Sequence, residues 1–156
     1  MENQATTHSI QPITGNWFEC FICYEKTMED GLDKKVTEVY TLHALSFTEA
    51  EAHINLEMKA YISHTNTFEV KNINPAPYKE IFFSDLPGDD RWYLVCLNFI
   101  TIDEKTEKEK KSAVKYLVQA ANFDASKTYI KQVMDGTMID YTIHSIKETK
   151  IIDVFK

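Results

Sequence analysis

Three groups of residues in this chain are of types that carry chemistry. The first is Cys20 and Cys23, a C-x-x-C pair of the kind that holds zinc or cycles between thiol and disulfide. The pair lies in Trp17-Phe18-Glu19-Cys20-Phe21-Ile22-Cys23-Tyr24, an apolar run with strand character. Side chains three positions apart on a strand point to opposite faces, so these thiols cannot chelate or pair without a bulge. No second C-x-x-C and no H-x-H completes a four-ligand set. The cysteines therefore read as core packing, with Cys20 a small apolar residue, and no metal and no cofactor is expected. The odd count of 3 cysteines fits a reducing, cytoplasmic setting.

The second group is Phe82-Phe83-Ser84-Asp85-Leu86-Pro87-Gly88-Asp89-Asp90-Arg91-Trp92-Tyr93. Arg91 is the only arginine among the 17 basic residues. Its planar fork suits carboxylates and phosphates and stacks on aromatic rings. Two readings follow. In one, Asp89, Asp90, Arg91, Trp92 and Tyr93, with Trp17 as the counterpart of Trp92, bind a ligand or partner. In the other, an Arg–Asp pair locks this loop to the strand that Trp92 opens.

The third group is scattered. His8, His43, His53, His64 and His144 have no local Ser, Cys or Asp at catalytic spacing, and His43 and His144 read as strand histidines. Asp85, Asp89 and Asp140 could serve an enzyme acting on a nucleotide signal only if the fold brought them to one cleft with a histidine. Lys105, Lys108, Lys110, Lys111 and Lys115 alternate with Asp103, Glu104, Glu107 and Glu109, which makes a solvated loop the simpler reading. With 4 glycines the chain has no glycine-rich phosphate cradle.

The elements that would position these residues occur twice. Trp17–Tyr24 matches Trp92–Phe99, and each begins an alternating strand. Charged loops at Glu25–Lys35 and Asp103–Lys111 lead into second strands carrying Val36, Tyr40, Leu42 and Ala44, or Val114, Tyr116, Val118 and Ala120. Helices follow, with Thr48 expected as one cap, Glu51 closing a capping box, and Asp124 as the other. Their apolar stripes are Ala50, Ile54, Met58, Tyr61 and Ile62, and Ser126, Ile130, Val133 and Met134. Gly136 reads as a left-handed stop to the second helix. Third strands run from Phe68 to Ile73 and from Tyr141 to Ile146. Apolar tails follow, and Pro75 and Pro77 are expected to keep the first tail off a regular ladder.

The expected fold class is α+β: tandem duplicated β-β-α-β units with pseudo-twofold symmetry, antiparallel sheets and one helix per repeat. Residues 1–15 form a flexible N-terminal segment, 16–83 and 92–156 the repeats, and 84–91 their junction. Copies this small gain most by sharing one core, so one compact domain is expected. Net charge is −7, −6 of it before residue 84, which disfavours a general nucleic-acid binder. No apolar run reaches membrane-span length.

Several stretches resemble a small family of proteins of gut bacteria and their phages whose function is not known. They are Trp17–Cys20, Tyr24–Gly31, Ala44–Ala52, Gly88–Tyr93, Leu97–Thr101 and Gly136-Thr137-Met138-Ile139-Asp140-Tyr141. The resemblance implies a phage or mobile-element setting, in the host-cell cytoplasm, and no catalytic residues. The functional expectation is a non-enzymatic binding protein, a homo-oligomer that recognises a host protein or a small nucleotide-like ligand. The alternative is a single-stranded nucleic-acid binder that stacks bases on exposed Phe18, Tyr93 and Phe99. The unrepeated junction and the acidic first copy are where a site would lie.

Overall fold

Long alternating runs become long strands in the computed structural model, which describes residues 9–62 and 67–156. His8, His64 and residues 1–8 of the expected flexible segment lie outside the described residues. The order is β1 (Ile10–Thr14), β2 (Trp17–Thr27), β3 (Asp33–His43), α1 (Phe47–Tyr61), β4 (Phe68–Pro75), β5 (Glu80–Ser84), β6 (Arg91–Ile102), β7 (Glu109–Ala120), α2 (Phe123–Met134), β8 (Tyr141–Glu148) and β9 (Ile151–Phe155). The fold is α+β, with two helices and two sheets rich in antiparallel pairs.

Contacts divide the chain into two compact units. One contains Gly15–Pro77 and Lys150–Lys156, with sheet order β4-β2-β3-β9. Phe18, Cys20, Ile22, Tyr40 and Leu42 face α1, which buries Ala50, Ile54 and Met58 against them. Truncating Ile54 to alanine there would cost on the order of 2–5 kcal/mol. The other unit contains residues up to Thr14 and Tyr78–Thr149, with sheet order β1-β5-β7-β6-β8. Its core holds Phe82, Tyr93, Val95, Leu97, Tyr116 and Val118 beneath Tyr129, Ile130 and Met134 of α2.

The tails correct the expected repeat boundaries. β5 pairs in parallel with β7, and β9 pairs in parallel with β3. Each tail thus leaves the unit that holds its preceding strand and completes the sheet of the other. Pro75 ends β4 and Pro77 lies in the connection, so neither blocks the ladder of β5. Residues 10–14, expected to be flexible, pair with β5 along its whole length, from Ile10 opposite Ser84 to Thr14 opposite Glu80. Each unit has its own buried cluster beneath its helix. Exchange also redistributes charge. Among the described residues the first unit carries 7 lysines against 11 acids and the second 10 bases against 12 acids, which narrows the asymmetry read along the chain.

Helix caps sit earlier than expected. Ser46 Oγ accepts from Glu49 N at 3.2 Å and Asn122 Oδ1 from Ala125 N at 2.8 Å, in place of Thr48 and Asp124. Both caps have the extended backbone that starts a helix, which frees Phe47 and Phe123 to be the first helical residues. Among the described residues no helix is long and apolar enough to cross a membrane.

Candidate functional site

The junction is an anchor internal to one unit. Asp89 is only 4% exposed. Its Oδ2 accepts from Tyr129 Oη at 2.7 Å and from Ser84 Oγ in a very short bond. Gln119 Nε2 donates to the Asp89 carbonyl at 2.9 Å, and Gln119 Oε1 accepts from Ser84 N at 3.0 Å. The carboxylate thereby ties the loop to β5 and α2, and the Asp89 carbonyl ties it to β7. Arg91 makes no part of this lock: its Nη1 lies 3.6 Å from Glu148 Oε1, with both side chains more than half exposed. Such a pair contributes little, and Arg91→Ala is expected to change unfolding free energy by less than about 0.5 kcal/mol in urea titrations.

The aromatic members are core residues. Trp92 is buried, with Phe83 edge-on at 5.8 Å, and its carbonyl accepts from Thr149 N and Oγ1, each at 2.8 Å. Tyr93 is buried on the opposite face under α2. In the other unit, Trp17 is buried with His43 edge-on at 5.4 Å. Of the six candidates only Asp90 and Arg91 reach solvent, so the structure does not assemble them as a clamp.

The remaining candidates disperse. Phe18 and Tyr93 are buried and Phe99 is packed against the core, which corrects their reading as exposed stacking platforms. Asp85, Asp140 and His144 are exposed. Asp89 lies two residues before β6, whereas the Asp140 carbonyl accepts from Ile100 N near the far end of that strand at 2.8 Å. Nine residues of strand separate those ends by about 30 Å, so the carboxylates share no cleft. Burial, followed by Glu19, pushes the Cys20 thiol up to about 12, which suits packing and not thiolate chemistry.

Residues 135–140, after α2, form a different kind of feature. Thr137 Oγ1 donates to the Met134 carbonyl at 2.6 Å and accepts from Ile139 N at 3.3 Å. Tyr141 Oη donates to Asp135 Oδ1 at 3.0 Å, and the bond from Ile100 N ties the loop to β6. Held this way, Met138 takes φ 61°, the left-handed region, and is 97% exposed. Gly136, expected to be left-handed, is not. A non-glycine residue there costs about 1 kcal/mol, as does leaving a large apolar side chain in water. Ile139, the next residue, is exposed too. The loop displays a methionine on a braced backbone at a local cost, an arrangement suited to docking in a partner's cavity. Sequence reading assigned the left-handed position to the glycine and passed over Met138, although two apolar residues between helix and strand are a signal.

Tyrosines define a third region. Tyr24 Oη and Tyr40 Oη donate to Glu38 Oε1, at 2.5 and 3.1 Å, and Lys26 Nζ lies 3.7 Å from Glu38 Oε2. Nearby, Tyr61 Oη donates to Asp153 Oδ2 at 3.4 Å. Burial first, then these bonds and the neighbouring carboxylates, raise the pKa of all three hydroxyls, so they act as neutral donors. Tyr116 and Tyr141 are raised also, and burial plus Asp89 push Tyr129 up to about 12. A folded pKa above the unfolded value near 10 stabilises fully below about pH 10, and that stability is lost as pH rises through the folded values. Tyrosinate absorbance of the folded chain should therefore lag that of the urea-unfolded chain above about pH 10, with loss of circular dichroism as the lag closes.

A family model, Domain of unknown function (DUF4494), matches residues 16–156. No curated protein and no solved structure matches the chain.

Proposed function

We propose that this chain, which belongs to the family Domain of unknown function (DUF4494), is a non-enzymatic binding protein that docks a partner protein through the loop after α2. The observation that carries this reading is Met138, left-handed and 97% exposed on a loop braced by hydrogen bonds. Of the partners considered from sequence, a host protein fits better than a nucleotide-like ligand. A projecting apolar side chain fills a cavity in its partner, whereas the hollow of about 410 Å³ beside Lys35 is lined by Glu25 and Glu69, which oppose a phosphate. The phage or mobile-element setting belongs to the same proposal, with the chain as an accessory that engages a host factor.

Internal duplication is part of the reading too. Strand orders β4-β2-β3-β9 and β8-β6-β7-β5 correspond, with β1 an additional strand outside β5 in the second sheet and one helix between the second and third strands of each copy. This supports two copies of one unit, with the pseudo-twofold symmetry expected from the repeat. What the copies share is scaffold.

Met138→Asn tests the reading, because asparagine favours the left-handed region and lacks the apolar anchor. Its stability should be unchanged or higher by about 0.5 kcal/mol. Capture of the partner from the cell that encodes the chain should weaken roughly 30-fold, the loss of an anchor worth about 2 kcal/mol. Capture undiminished by Met138→Asn would refute docking through this loop.

A further inference from the structure

We infer that Met138 is a modification site, a methionine whose oxidation switches the docking loop between an apolar and a polar form; the switching rests on the docking role proposed above. The described methionines divide sharply by exposure: Met138 97%, Met28 39%, Met134 3% and Met58 0%. Oxidation follows access of the oxidant to sulfur, so among the described methionines Met138 takes most of the reaction. A hydroperoxide is the oxidant. The thioether sulfur attacks the terminal peroxide oxygen, an S–O bond forms and the O–O bond breaks. Sulfur loses two electrons, and the remaining oxygen leaves with a proton as water or an alcohol. The product is methionine sulfoxide, polar and chiral, and methionine sulfoxide reductases restore the thioether.

Local geometry makes the change reversible without unfolding. Bonds that hold the loop run through Thr137, Asp135, Asp140 and Tyr141, none through the Met138 side chain. Sulfoxide therefore alters what the loop presents and leaves its backbone in place. Oxidation of Met58 or Met134 would instead place a polar group in a core.

The test uses the full chain and hydrogen peroxide, with peptide mass mapping of each sulfoxide over time. Met138 should react first, roughly two to three times faster than Met28 and far faster than Met58 and Met134, with the difference lost in denaturant. Retention on a butyl hydrophobic-interaction column should fall on oxidation of the native chain and fall less for oxidised Met138→Leu, in which Met28 still reacts. Equal rates at Met138 and the buried methionines, or a retention loss as large in Met138→Leu, would overturn the inference. Partner capture gives the remaining arm. Loss on oxidation, recovery with reductase and indifference in Met138→Leu support the switch. Capture that survives complete Met138 oxidation overturns it, and if Met138→Asn also retains capture, the docking reading falls with it.

Discussion

Asp89→Ala should lower the unfolding free energy by about 3 kcal/mol, among the largest losses expected of any single polar residue here. Its buried carboxylate is the acceptor for both Ser84 Oγ and Tyr129 Oη, and bonds to an ionised acceptor contribute about 1.5–3 kcal/mol each. Removing it deprives two donors at a partly dry site of this acceptor. Tyr129→Phe removes one of the two bonds and should cost about half as much. Because both substitutions break the same contact, the double variant should lose less than the sum. Urea denaturation of the four-member cycle measures this. An Asp89→Ala loss no larger than that of Arg91→Ala would show that the loop is anchored by something else.

Ending the chain at Thr149 should cost about 5 kcal/mol and should damage one unit only. The missing residues include Ile151 and Val154, both buried, and Phe155, which stacks on Tyr40 at 5.7 Å and meets Tyr61 edge-on at 6.0 Å. Three such side chains bury about 1.5–2 kcal/mol of transfer free energy each. The parallel ladder from Val39 to Leu42 is lost as well, which returns β3 to an open edge. Hydrogen exchange should show loss of protection across β2 and β3, while β6 and β7, whose cluster contains no residue of β9, keep theirs. Uniform loss across both sheets would mean that β9 does not stabilise its own sheet preferentially.

How far the sequence could be read depended on whether the signal was local. Alternation along Trp17–Tyr24 and Trp92–Phe99 and the stripe from Ala50 to Met58 gave the strands, helices and core faces, because each pattern lies within one element. The tails were harder. Their apolar residues showed that they would be buried, but a parallel partner far along the chain leaves no local mark, so the exchange between units was not legible. The same limit applied at the junction. A lock for the loop was anticipated, yet Arg91 was assigned to it because it is adjacent in sequence, while the true partners Gln119 and Tyr129 are 30 and 40 positions from Asp89. Trp17, Trp92 and Tyr93 drew attention as aromatic binders, though their alternation with other apolar residues already fitted burial. At Met138 the difficulty was of another sort. Left-handed backbone is assigned to glycine by default, and only the bonding of Thr137 shows that the next residue takes it.

We propose that the chain meets its partner at the loop after α2 and not at residues 84–91. Site-specific photo-cross-linking in the cell that encodes the chain tests it most directly, with benzoylphenylalanine placed at position 138 in one variant and at position 91 in another. The account predicts a discrete protein adduct from position 138 and none from position 91. An adduct from position 91 with none from position 138 would contradict it.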